Sequence, residues 1–109
     1  MAVATKKLSQ NQLTAALVTQ YTVPASTNTR ISELLLCNTD TVMRTVTVHF
    51  VPSGGAADAT NIYLDAIELA AGQTLPIKLD TTLNAGDFIR AMANLTAVVN
   101  LLISGSELT

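Results

Sequence analysis

One cysteine, Cys37, and one histidine, His49, are the residues in this 109-residue chain that could form a thiolate–imidazole nucleophile pair. Such a pair needs the base within hydrogen-bond reach of the sulfur. Both residues lie in the stretch Arg30 to Pro52, RISELLLCNTDTVMRTVTVHFVP, which reads as two β-prone runs joined by the polar turn Asn38 to Thr41. In a hairpin of that register Cys37 faces Val42, and His49 falls about 20 Å further along at ~3.3 Å per residue. Catalysis by the pair is therefore not expected. Cys37 reads as apolar packing and His49 as a solvent-face residue. A lone cysteine forms no internal disulfide, and no Cys/His cluster has metal-ligand spacing, so neither a metal site nor a cofactor is expected.

The remaining polar groups point the same way. Asp40, Asp58, Asp65, Glu68, Asp80 and Asp87 are dispersed, mostly at turns, without the alternating spacing of a calcium loop. A glycosidase-like carboxylate pair would lack flanking aromatics to hold a sugar. Gly54-Gly55 is not set in a phosphate-cradling pattern, and Asn94-Leu95-Thr96 reads as a hairpin turn. The chain is not expected to be an enzyme. Its basic residues Lys6, Lys7, Arg30, Arg44, Lys78 and Arg90 are scattered and have almost no aromatic company, which excludes the footprint of a nucleic-acid binder. Arg30, Arg44, Lys78 and Arg90 sit in or beside strands, where they serve either to discourage edge pairing or to meet acidic patches on a neighbour. Lys6, Lys7, Arg30, Arg44 and Arg90 are the candidate partner contacts.

The elements that hold these residues are β-strands. Apolar residues make up 49% and aromatics only 4%, so the core must be aliphatic, and sixteen threonines supply β-prone solvent faces. Charged residues are 13%, about half the usual share, and the net charge is −2. A surface so short of charge suits life against partners or repeated copies of itself. No apolar run reaches the ~20 residues needed to span a bilayer, so no membrane contact is expected. The N-terminus lacks an apolar leader, so a cytoplasm-like compartment is expected.

Residues 1–12 read as an N-terminal arm or edge strand, and residues 13–109 as one domain. In that domain a strand runs from Leu13 to Val23 and stops at Pro24. The hairpin from Arg30 to Pro52 is read as the core spine, with Ile31, Leu35, Val46, Val48 and Phe50 inward. Ser53 to Asn61 is small and turn-forming, hence an exposed loop. Ile62 to Leu69 is a strand. Two near-repeats, Leu69-Ala70-Ala71-Gly72 and Leu83-Asn84-Ala85-Gly86, are turns before strands carrying Leu75, Ile77 and Leu79, then Ile89, Ala91 and Ala93. Pro76 demotes the first of those to an edge, and Ala97 to Ser104 is central. About seven or eight short strands with no helical period specify an all-β, antiparallel β-sandwich, Ig-like or jelly-roll-like.

The succession YTVPAS, ISELLLCNTD, VTVHFVPSGG, LAAGQT and LNAGDFIRA, spanning Tyr21 to Gly105 with its last strand, resembles small virion structural proteins of tailed bacteriophages. The resemblance implies a non-enzymatic virion component assembled in the host cytoplasm. A capsid decoration (cement) protein is the foremost form, bracing the head through β-surface and N-terminal arm contacts with the major capsid protein. A neck, tail or fibre-base accessory is the alternative, and a receptor- or glycan-binding module working through Ser53 to Asn61 a further one. Deleting residues 1–12 is expected to leave a folded sandwich that no longer docks.

Overall fold

The computed structural model describes residues 2–109. Eight strands account for the fold: β1 (Val3–Gln12), β2 (Val18–Thr22), β3 (Asn28–Asn38), β4 (Arg44–Val51), β5 (Ile62–Leu69), β6 (Thr74–Leu83), β7 (Phe88–Ala93) and β8 (Val99–Leu108). They form two four-stranded antiparallel sheets, ordered β1-β8-β3-β6 and β2-β7-β4-β5. We call these the first and second sheet. Among consecutive strands only β4 and β5 pair, and every other connection crosses from one sheet to the other. That is the double Greek key of a jelly roll, which settles the choice left open with an Ig-like arrangement.

The core lies between the sheets and is aliphatic. Leu34, Leu36, Leu101 and Ile103 from the first sheet meet Val46, Val48, Ile89 and Ala91 from the second, all at 0–1% exposure. Ile89, Ala91 and Ala93 face inward as their alternation requires, and β8 is central, between β1 and β3. β6 is an edge strand, and Pro76 sits on it without interrupting a ladder on its free side.

Arg30 to Pro52 is not a hairpin. β3 belongs to the first sheet and β4 to the second, so Asn38 to Met43 is a crossover between layers. Asn38 makes the crossing possible. Its side chain is fully buried, its Nδ2 donates to the carbonyls of Val42, Leu69 and Ala70 at 2.9, 3.1 and 3.2 Å, and its Oδ1 accepts from the Asp40 N–H at 2.9 Å. Backbone groups that leave a sheet at the core boundary need such partners.

Leu35 also departs from expectation. The register of β3 shifts between Ile31 and Glu33 against both neighbours, and against β8, where Ile31 faces Gly105 and Glu33 faces Ser104, Ser32 is an extra residue. One inserted residue exchanges the faces of everything after it. Ile31 is inward before the bulge, Leu34 and Leu36 are inward after it, and Leu35 is turned to the outer face. β1 bulges at the same level, between Lys7 and Ser9. Gly105 of β8 lies beside both bulges, where a Cβ would stand 2.1 Å from the Arg30 carbonyl oxygen and 3.0 Å from Leu8 Cδ1.

Of the two forms expected for the N-terminal segment, arm or edge strand, residues 3–12 take the edge strand. β1 pairs with β8 along its whole length, from Val3 opposite Leu108 to Gln12 opposite Asn100, and Leu8 packs on the core. The strand expected over Leu13 to Val23 is only Val18–Thr22, because the fully buried Leu13 anchors the turn into the second sheet.

Candidate functional site

Cys37 and His49 are kept apart by the fold. Cys37 lies half-buried on the outer face of the first sheet, opposite Asn100 and Thr74. His49 stands in the second sheet opposite Arg90 and is 8% exposed, not on a solvent face as its alternation suggested. The reason is the 52–61 loop, which folds back over it. His49 Nδ1 donates to Asn61 Oδ1 at 2.8 Å, and that oxygen also accepts the Asp58 N–H at 3.1 Å. Asn61 Nδ2 donates to the Ala56 carbonyl at 2.9 Å. His49 thus anchors a loop whose tip is exposed. Within the loop, hydrogen bonds from the Thr60 hydroxyl and N–H hold the Asp58 carboxyl below the usual range.

The basic residues are mostly committed within the chain. Lys6 pairs with Glu107 at 2.7 Å, Arg30 with Asp80 at 2.6 Å, Arg44 with Asp40 at 2.6 Å and Lys78 with Glu33 at 2.7 Å. Lys7 donates to Gln10 Oε1 at 2.8 Å. Arg90 donates from Nη2 to the Leu17 carbonyl at 2.7 Å, which ties the β1–β2 turn to β7, and its buried Nε has no partner among the described residues. Asp40 is held below the usual carboxylate range first by Arg44 and then by the Thr41 N–H.

A polar cluster closes the side where β1 and β2 meet. The Tyr21 hydroxyl donates to Glu107 Oε2 and accepts from Thr29 Oγ1 at 2.8 Å, while Lys6 bonds the other oxygen of Glu107. Burial, reinforced by the bond to Glu107, pushes Tyr21 up to about 12. Lys6 first and Tyr21 second hold Glu107 below its ordinary value. The cluster joins β1, β2, β3 and β8 across the two sheets, and nothing in the sequence spacing announced it.

Two surfaces have the shape of contact sites. On the outer face of the first sheet, cross-strand rows run Lys7, Ser104, Glu33, Lys78, then Gln10, Leu102, Leu35, Pro76, then Gln12, Asn100, Cys37, Thr74. This is a β surface with a largely apolar row between a charged row and a row of amide, thiol and hydroxyl groups. On the side opposite the Tyr21 cluster, the free edges of β5 and β6 stand apart and leave a cleft of about 620 Å³. Phe50, Leu64, Ile77 and Leu79 lie half-buried in its walls, with Tyr63 tilted against Phe50 at a ring separation of 5.5 Å. No group of three or more His, Cys, Asp or Glu side chains able to hold a metal ion occurs among the described residues.

No family model and no curated protein matches the chain. Its fold is similar to that of a chain in the structure of infectious bursal disease virus, Gx strain, with a TM-score of 0.51 and 13% identity. The likeness extends over 97% of this chain and 30% of that one. At that identity it is a likeness of fold. This chain spans less than a third of the length of the viral one.

Proposed function

We propose that this protein is a non-enzymatic virion structural component, and in its specific form the capsid decoration subunit of a tailed bacteriophage. The observation that carries the reading is the jelly-roll sandwich, similar over nearly its whole length to part of a chain from a virus structure. The jelly roll also serves lectins and cupins. Against those uses stand the scarcity of aromatics for sugar stacking and the single histidine. The phage assignment rests on the pattern of strands and turns from Tyr21 to Gly105.

In this reading the outer face of the first sheet is the docking surface. Most of its charges are spent in the pairs Lys78–Glu33 and Arg30–Asp80, its apolar row is Leu102, Leu35 and Pro76, and two of the candidate contacts, Lys7 and Arg30, lie on it. Each contact is weak, and the lattice of identical copies makes the sum large, because neighbouring sites on one particle raise the effective concentration. The protein then braces the assembled shell without forming a strong single interface.

The test is location and stoichiometry in particles purified from the virus that encodes the chain. Regular coverage of the heads is the expected result. A single ring at one vertex assigns the protein to the neck or tail instead, and particles wholly lacking the protein overturn the virion reading.

A further inference from the structure

The charge of this chain is unevenly spent. Glu33, Asp40, Asp80 and Glu107 each hold a cation at 2.6–2.7 Å. The other four acids, Asp58, Asp65, Glu68 and Asp87, make no ion pair among the described residues. Three of them, Asp58, Asp65 and Asp87, flank the β5–β6 cleft. Asp58 is in the loop that closes one end of it, Asp65 is exposed on β5 next to the lining residue Leu64, and Asp87 is in its wall, while Glu68 lies at the far end of β5 opposite Thr45. Three of these acids therefore flank this one cleft, while the six basic and five acidic residues elsewhere leave the rest of the chain net positive.

The cleft itself is apolar where it is deep. Leu34, Phe50, Leu64, Ile77, Leu79 and Leu83 line it, and the two strands beside it are edge strands with a free hydrogen-bonding side. We propose that the cleft is a docking site for an extended segment of a partner protein in which apolar side chains alternate with lysine or arginine. An extended segment turns alternate residues to opposite sides, so one set enters the cleft while the other meets the acidic rim. Charge complementarity selects the sign of that second set. A second copy of this chain is poorly suited as the occupant. Its own basic and apolar run, Val3 to Leu8, is already paired with β8.

The inference stands apart from the virion reading and is tested without particles. A short capped peptide alternating valine with lysine, and its twin alternating valine with glutamate, are titrated into the full chain by heteronuclear NMR at low and high salt. The lysine peptide is expected to bind with shifts confined to β5, β6 and the 52–61 loop, more weakly in high salt, and the glutamate peptide not to bind. The exposed Asp65→Lys, which leaves the core untouched, is expected to weaken the lysine peptide roughly ten-fold, and Leu79→Arg to abolish its binding. The proposal is overturned if the two peptides bind alike, if wild-type protein ignores the lysine peptide, or if the Asp65→Lys variant binds it undiminished. Sedimentation gives one further opposing outcome: a wild-type dimer dissolved by Leu79→Arg would make a second copy the occupant.

Discussion

A methyl group at position 105 would stand 2.1 Å from the Arg30 carbonyl oxygen, well inside contact distance and against backbone that cannot rotate away. Gly105→Ala is therefore expected to cost about 2–3 kcal/mol, the range for overpacking a well-filled interior, measured by urea unfolding. Asn38 is a different kind of constraint. Asn38→Ala removes one fully buried side chain and strands the carbonyls of Leu69 and Ala70 together with that of Val42. At roughly 1–3 kcal/mol for an unsatisfied buried group, it should lower stability by at least as much as the glycine substitution. The Tyr21 cluster makes stability depend on pH at both extremes. Glu107 is depressed in the fold, so its contribution is complete above its unfolded value near 4.5 and is lost as pH falls through the lower folded value. Tyr21 is raised, so its contribution is complete below 10 and is lost as pH rises towards about 12. Glu107→Gln should flatten the acid limb and Tyr21→Phe the alkaline one, as read from thermal midpoints across the pH range.

At the level of elements, each of the four edge strands carries an obstacle to further pairing. β1 has Lys6, Lys7 and the bulge at Leu8, β2 is five residues long with its own register shift, and β6 carries Pro76. β5 is broken by Ala66, whose φ of 51° takes the strand out of register while its N–H is held by the Thr47 hydroxyl at 3.2 Å. Deleting residues 2–12 should accordingly unfold or aggregate the protein, not merely free it from a partner. The deletion strips β8 of a neighbour and exposes the core beside Leu8, and circular dichroism of the truncated chain checks it. Here the sequence was legible in part. Alternation located the strands, their approximate limits, the central place of β8 and the edge place of β6. It could not show that Asn38 to Thr41 changes sheets, because a polar turn has the same composition in a hairpin and in a crossover. Nor could it place Leu35, since the extra residue of the bulge is an ordinary serine. His49 was misread for a third reason: its cover comes from Asn61, twelve residues on, through a loop that looks solvent-exposed. The cleft has no signature in the sequence because it opens between two consecutive strands, β5 and β6, that join different sheets, and alternation does not say which sheet a strand joins. Its acidic rim looked like dispersed turn residues.

Taken whole, the molecule measures 46 × 27 × 19 Å and is a flat slab with two contrasting sides. The β1–β2 side is closed by the Tyr21 cluster, and the β5–β6 side is open and acidic. If the outer face of the first sheet seats the protein on a particle, Leu35→Asp together with Leu102→Asp should abolish particle association while leaving the unfolding transition close to wild type, because both residues are outward and half-buried. Retained association would move the docking surface elsewhere. The two chain ends also meet: the Ala2 N–H donates to the Thr109 carbonyl at 3.0 Å and the Thr109 N–H returns the bond to Ala2 at 2.9 Å. The pairing of β1 with β8 spans the entire chain, so in the natural connectivity it must wait for the largest loop closure of the fold. A short linker across that junction, with the backbone opened at Gly54-Gly55, converts the most remote pairing into a local hairpin. Such a circular permutant should keep the same jelly roll and refold faster than the parent in stopped-flow measurements, making the order of strands along the chain a determinant of speed and not of architecture.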